Sequence, residues 1–196
     1  MILKKKIILG STSLYRAQLF DRLGLDYVSV SPDANEAPLH GELPAATALR
    51  LAMAKAQSLQ HKFQNALVIG ADQVADLDGT AIGKPGSRKR AIMQLRQMSG
   101  QTLVFHSGLA LLNTATGNLQ RTIVATTVRF RELSNLDIEN YLDRERALDC
   151  AGSAKSEGLG IALLASMQSD DPTALVGLPL IALINMLQVE GVSVLS

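Results

Sequence analysis

Tryptophan is absent from the 196 residues, and only three tyrosines and four phenylalanines are present. A protein that reads single-stranded nucleic acid by stacking needs a row of aromatic faces, so this composition argues against that class and makes each remaining aromatic a scarce resource. Charge of one sign is missing too, since 19 Lys and Arg stand against 18 Asp and Glu for a net charge of +1. No bulk field draws in duplex nucleic acid or an anionic membrane, so any anion has to be held by local groups. One cysteine, Cys150, rules out an internal disulfide and a cysteine-based zinc site within one chain and fits a reducing cytoplasm; with no base partner in view it reads as buried and inert. Long apolar runs are lacking as well. The run after Lys4-Lys5-Lys6 ends at Leu9, too short for the core of an export signal, and Val176 to Val189 is broken by Gly177, Pro179 and Asn185, short of a membrane span.

Several nucleotide and metal signatures are absent. Gly83-Lys84 is followed by Pro85 and lacks the flanking glycine and hydroxyl of a P-loop, and no GxGxxG occurs, Gly158-Leu159-Gly160 being too short a fragment to count. His40, His61 and His106 have no metal-ligand spacing and read as surface or strand residues.

What is present is an apolar content of 47%, enough for a real core, with no repeat, low-complexity linker or composition break. One domain over residues 1–196 is expected, of mixed α/β class. Ile2 to Leu9 reads as a buried strand, Leu14 to Leu23 as a helix ending near Gly24, and Asp26 to Ser31 as a second strand. Pro32, Pro38, Gly41 and Pro44 punctuate a loop long enough to suggest function, with Glu36 inside it. A helix over 45–62 precedes a buried strand over 66–75, and Asp78-Gly79 supplies a hairpin turn. Ser87 to Met98 reads as a basic amphipathic helix, 103–112 and 119–133 as paired strands, and Ser134 with Asp137 as the capping box of a helix to about Arg144. Gly158 to Leu164 suits a strand, and Pro179 opens a last helix to about Val189.

Chemistry concentrates in a few places. Ser11-Thr12-Ser13-Leu14-Tyr15-Arg16 combines a strand exit, hydroxyl caps and a cation, so the first N–H groups of the helix and Arg16 would point at the same anion. Phosphate is its natural guest, although Ser13 is equally suited to capping an ordinary surface helix. Asp72 is placed where a buried strand emerges, where a functional carboxylate or a turn cap are both at home. Glu36 offers a second carboxylate, Lys84 is held between Gly83 and Pro85, and Lys55 sits just off an apolar helix face. Two carboxylates suit Mg²⁺ or Mn²⁺, and three separated cations suit a polyphosphate chain, which together match phosphoanhydride cleavage.

With Ser11-x-Ser13-x-x-Arg16, Glu36, Lys55, Asp72, Gly83-Lys84-Pro85 and Gly177-Leu178-Pro179 in this order, nearly the whole chain resembles the Maf family of nucleoside triphosphate pyrophosphatases. The resemblance implies an elongated mixed, twisted sheet flanked by helices, similar to the inosine triphosphatase fold, with a cleft between two lobes. It also implies a divalent metal, with Glu36 and Asp72 as its ligands, and hydrolysis of a triphosphate to the monophosphate and pyrophosphate. Asp72 matches the proton acceptor, and Ser11, Ser13, Arg16, Lys55 and Lys84 the phosphate contacts. Asp72-Gln73 and Lys155-Ser156-Glu157-Gly158 look like the branch acting on 7-methyl-GTP, making Tyr15, Gln73 and Glu157 the residues expected to select the base. Tyr15 replaces the tryptophan common in that branch, which keeps an aromatic face but shrinks it. The alternatives are a pyrophosphatase for dTTP, UTP or other non-standard nucleotides, and a nucleotide-binding regulator of septum formation with little turnover. For Glu157 the alternative is a surface pair with Lys155 or Arg146. A cytoplasmic homodimer without nucleic acid or membrane partners completes the expectation.

Overall fold

From Ala66 to Ala71 every residue is apolar or glycine, whereas from Asp72 to Leu77 the even positions carry two aspartates and the odd positions end in Ala75 and Leu77. Side chains alternate across a strand, so this is a strand buried on both faces for its first half and on one face for its second. The computed structural model, which describes residues 5–37 and 39–195, contains that strand as β3 (Ala66–Leu77), and its burial follows the pattern. It continues two residues past its predicted end, and Asp72 lies in its middle rather than at an exit, because β5 (Thr102–Asn113) pairs with it antiparallel from Leu67↔Asn113 to Asp76↔Val104.

The sheet runs β2 (Tyr27–Ser29), β1 (Lys6–Gly10), β3, β5, β6 (Leu119–Phe130), β7 (Leu164–Ser169), with β4 (Thr80–Ile82) also beside β3. The pairs β1–β2 and β1–β3 are parallel and the others antiparallel, giving the mixed sheet. Three apolar clusters cover it. On one face of its first half, Leu67, Ile69 and Leu109 pack under α1 (Leu14–Asp21) and α5 (Leu180–Val189) through Leu19, Phe20, Leu183 and Leu187. Each such fully buried side chain stabilises the fold by about 2 kcal/mol. On the opposite face, Ile8, Val68, Ala110 and Leu112 pack under α2 (Pro44–Gln57). The second half of the sheet carries a separate cluster, in which Phe105, Val128 and Phe130 meet Leu95 and Met98 of α3 (Arg88–Met98) and Ile138 and Tyr141 of α4 (Asn135–Arg144). The two lobes therefore share continuous strands but have different cores.

Helix α2 lies unusually close to the sheet. Its inner face is Ala48, Ala52 and Ala56, all fully buried, and below it the sheet has Gly70 and Gly108. A Cβ on Gly70 would overlap the Ala52 carbonyl and stand 2.6 Å from the Ala56 nitrogen; one on Gly108 would overlap the Ala48 carbonyl. Only glycine permits this approach, which carries Lys55 to the middle of β3.

The structure corrects one predicted element. Residues 159–163 form a 3-10 turn, and the strand begins only at Leu164. The amides of Gly158 and Gly160 both donate to the Lys155 carbonyl at 3.0 Å, closing a tight turn where an extended chain was expected. Residues 1–4, which include the opening of the strand expected from Ile2, lie outside the described residues, as does Pro38. The capping box of α4 forms as predicted, with Ser134 and Asp137 each accepting from the other's backbone N–H. Among the described residues no helix is long and apolar enough to cross a membrane.

Candidate active site

One edge of β3 is paired along its length by β5, whereas the other is shared by two shorter strands. Strand β1 pairs as far as Gly10↔Gly70, and β4 begins at Ala75↔Ile82. Residues 71–74 of β3 therefore have no ladder partner on that edge. Because β1 runs parallel and β4 antiparallel to β3, both chains leave their strands into this gap, one as Ser11-Thr12-Ser13 and the other as Gly83-Lys84. A break in pairing, with two loops emerging beside it, opens the edge of β3 at the place where the two lobes meet.

Asp72 lies in the gap on the α2 face of the sheet, and Lys55 reaches it from above. The lysine is only 7% exposed, and its Nζ donates to Asp72 Oδ1 at 2.6 Å and pairs with Glu36 Oε1 at 2.8 Å. This burial differs from the surface position its place off the apolar stripe suggested; the close seating of α2 accounts for it. The hydrogen bond from Lys55 holds the Glu36 carboxyl below its ordinary range against the opposing effect of burial, with Lys84 and Arg16 adding to the lowering. Glu36 itself is mostly exposed, in the loop before α2, and Lys84 is exposed across the gap.

Ser13 caps α1, its Oγ accepting from the Arg16 N–H at 3.4 Å, and the buried Ser11 Oγ accepts from the Ser13 N–H at 3.1 Å. The serines thus organise the turn while the helix terminus faces the cleft. Arg16 is anchored at its Nε, which donates to the Gly177 carbonyl at 2.8 Å. Burial lowers its pKa, and Asp72 and Glu36 oppose that lowering, so the guanidinium belongs to the same electrostatic cluster. Gly177 holds φ +112°, a conformation that favours glycine.

The segment that presents Gly177 is held by residues the sequence did not single out. Asp171, 2% exposed, accepts through Oδ2 from Ile181 N at 2.7 Å and Ala182 N at 3.4 Å, and through Oδ1 from Thr173 N at 3.0 Å. Thr173 Oγ1 accepts from Leu180 N at 2.8 Å and lies 2.8 Å from the Leu178 carbonyl. The signal available was Asp171-x-Thr173 ahead of a helix start, a capping pattern. Gln73 joins this support. Its side chain is on the face opposite Asp72, and its Nε2 lies 2.9 Å from the carbonyls of Ala174 and Leu175 and 3.0 Å from Ser107 Oγ.

Tyr15, next to Arg16, leans to the other lobe. Lys155 Nζ stands 5.4 Å from its ring centroid and is paired with Glu145 Oε1 at 2.9 Å, so Lys155 is committed to Glu145 rather than Glu157. Glu157 is exposed. Cys150 is half-buried, and burial, with Asp149 and Glu157 nearby, pushes its thiol up to about 12, which keeps it unreactive near neutrality. The structure thus gathers Ser11, Ser13, Arg16, Glu36, Lys55, Asp72 and Lys84 around one gap, places Tyr15 beside Lys155, and puts Gln73 on the opposite face of the sheet.

Comparison with known proteins places the chain in a family. A family model described as "Maf-like protein" matches residues 6–190. The chain is 55% identical over 190 residues to a 7-methyl-GTP pyrophosphatase of Chromobacterium violaceum, covering 96% of this chain and 98% of the relative. It is 55% identical over 186 residues to one of Cupriavidus pinatubonensis, covering 95% and 94%, and 53% identical over 189 residues to one of Polaromonas sp., covering 96% and 86%. Among solved structures, the Staphylococcus aureus Ham1 protein pairs with 65% of this chain and 73% of its own at a TM-score of 0.47 and 16% identity. With a family match over most of its length and relatives above half identity across nearly all of it, this chain belongs to the Maf family.

Proposed function

We propose that this protein hydrolyses a nucleoside triphosphate between its α- and β-phosphates, releasing the monophosphate and pyrophosphate, and that 7-methyl-GTP is its preferred substrate. The observation that carries the reading is Lys55 clamped between Asp72 and Glu36 in the strand gap where Arg16, Lys84 and the capped terminus of α1 converge. A polyphosphate placed there meets fixed cations and backbone donors, the features that offset charge developing during phosphoanhydride cleavage. The names of the relatives agree with this chemistry.

In this reading water is the nucleophile and Asp72 orients it and takes its proton as the new P–O bond forms. The bond to the bridging oxygen breaks with its electrons passing to pyrophosphate, whose charge Arg16, Lys55 and Lys84 offset. Glu36 and Asp72 also fit a divalent metal: they converge on one ammonium that engages one oxygen of each, and Mg²⁺ typically takes one or two carboxylates together with substrate phosphates. Bound there, Mg²⁺ or Mn²⁺ would polarise phosphate oxygens. Tyr15 and Glu157 serve the base, through a stacking face and a carboxylate that accepts from the N–H edge of guanine, and Gln73 acts through the turn it holds. A single reduced thiol suits the cytoplasm, where the nucleotide pool is found, and light scattering tests the homodimer that the family resemblance implies.

The decisive measurement is turnover of 7-methyl-GTP, GTP, dTTP and UTP with Mg²⁺ or Mn²⁺ and with chelator, with products separated by chromatography. Monophosphate and pyrophosphate should appear in equal amounts, fastest from the methylated purine and not at all with chelator. Release of orthophosphate and a diphosphate, or no turnover of any of the four, would overturn the reading.

A further inference from the structure

A single buried carboxylate closes the segment on which Arg16 is anchored. Asp171 Oδ1 accepts from Thr173 N at the start of that segment, and Oδ2 accepts from Ile181 N and Ala182 N at its end. Thr173 Oγ1 lies 2.7 Å from Asp171 Oδ1, accepts from Leu180 N and stands 2.8 Å from the carbonyl of Leu178, the residue after Gly177. The base of this clasp is tied to the sheet, because Ser169 Oγ is 3.0 Å from the Asp171 carbonyl and 3.0 Å from Oγ1 of Thr126, which is fully buried in β6. Gly177 has no side chain to steady it, so the place of its carbonyl follows from where Asp171 and Thr173 hold the chain on either side. That carbonyl takes the Arg16 Nε–H at 2.8 Å, the one hydrogen bond of the guanidinium among the described residues. The two terminal nitrogens are left as the fork that binds phosphate oxygens in pairs.

We infer that Asp171 is a positioning residue for Arg16: by clasping residues 173–181 it fixes the Gly177 carbonyl, and through it the direction in which the guanidinium meets the substrate. The consequence for turnover rests on the hydrolase reading; the hold on Arg16 does not. Asparagine cannot take the place of this aspartate. Both carboxylate oxygens face backbone N–H groups, so either orientation of an amide turns its own NH₂ on a donor.

Steady-state kinetics with 7-methyl-GTP compare the intact protein with Arg16→Met, Asp171→Asn, Thr173→Val and the two doubles that carry Arg16→Met. Ser134→Ala, which uncaps α4 in the other lobe, is the control for lost stability alone. In the ligand-free protein the Arg16 Nε–H resonance, assigned by its absence in Arg16→Met, reports the anchor through its rate of hydrogen exchange. Asp171→Asn should raise KM by about tenfold and lower kcat by less, as expected when a charged hydrogen-bonding group loses its place. Thr173→Val keeps the side-chain shape and should show the same split at about threefold. Neither change should add to Arg16→Met, exchange should quicken in both single variants, and Ser134→Ala should leave KM and exchange unaltered. Additive losses in the doubles, unchanged exchange, or lost stability with wild-type KM would overturn the inference; if Asp171→Asn does not fold, Thr173→Val decides. Should the protein hydrolyse no triphosphate, the hydrolase reading falls and exchange alone judges the clasp, whereas normal turnover with unchanged exchange sinks this inference and leaves that reading standing.

Discussion

The two ends of the cleft are built in different ways. At the end proposed to hold the phosphates a buried lysine is braced by two carboxylates, an arginine is anchored by a backbone carbonyl, and a glycine-seated helix holds the lysine in place. At the end proposed for the base, Tyr15 stands beside Lys155, which is paired with Glu145, and Glu157 is exposed. The first is preorganised and shielded, so its charges act strongly; the second is wet, so its contacts are individually weak and interchangeable. Chemistry and selectivity would then respond differently to substitution: large, coupled losses at one end and small, separable ones at the other.

Breaking the braced end should have the largest effect. Lys55→Met leaves Asp72, whose side chain is 13% exposed, without its nearest cation, and removal of one member of a buried pair costs about 3 kcal/mol. Urea unfolding should show that loss, with turnover falling alongside; a change below about 0.5 kcal/mol would put Lys55 among ordinary surface pairs. Asp72→Asn keeps the shape of the side chain, so the variant should still fold, at some loss of stability from the broken pair with Lys55, but kcat should fall by about a hundredfold or more, as expected for a positioned general base. Retention of more than about a tenth of the rate with normal KM would remove Asp72 from that role.

Smaller effects probe how the arginine is held and how the base is chosen. Gly177→Ala puts a side chain at φ +112° and about 3.4 Å from Arg16 Nε, so it should cost about 1 to 2 kcal/mol and raise KM more than it lowers kcat. Wild-type KM in that variant would show that Arg16 does not depend on this carbonyl. At the exposed end, Glu157→Gln should narrow the margin of 7-methyl-GTP over GTP by a factor of about three in competition assays, with little change in overall turnover. An equal loss on both nucleotides would detach Glu157 from base choice.

The smallest expected effect is on the pH dependence of stability. Lys55 lowers the folded pKa of Glu36, so the unfolded chain binds the proton more readily; the resulting stabilisation is present above the ordinary carboxylate range and is lost as pH falls through the lowered folded value. Because the Glu36 side chain is 61% exposed, the contribution is a few tenths of a kcal/mol at most. Comparing unfolding of the native chain and Glu36→Gln from pH 6 down to pH 3 should show their stabilities converging at the acid end; parallel curves would show that the pair adds nothing.

Local chemistry was readable wherever neighbours in sequence decide it. The Ser13 cap, the Ser134–Asp137 capping box, the Asp78-Gly79 turn and the long strand pair around residues 114–118 all depend on contacts within a few residues, and the structure contains each of them. The strand expected over 158–164 failed because a closing turn onto Lys155 competed with extension, and apolar periodicity in so short a run does not distinguish the two. Lys55 was read as lying just off an apolar stripe; that it is buried follows from Gly70 and Gly108, far away in sequence, which let α2 sink onto the sheet.

By itself the sequence determined the mixed α/β class, most of the elements, and an inventory of hydroxyls, carboxylates and cations suited to a polyphosphate, because composition, periodicity and capping are local properties of the chain. Only the tertiary structure decided that β1 pairs with β3 no further than Gly70 and that β4 pairs with it only from Ala75 on, leaving a gap in which those groups meet. It alone turned Gln73 to the far face, gave Arg16 its anchor 161 positions away, and paired Lys155 with Glu145 in place of Glu157. Those outcomes depend on strand register and helix depth, which are set by packing between segments distant in sequence and have no signature in any one of them.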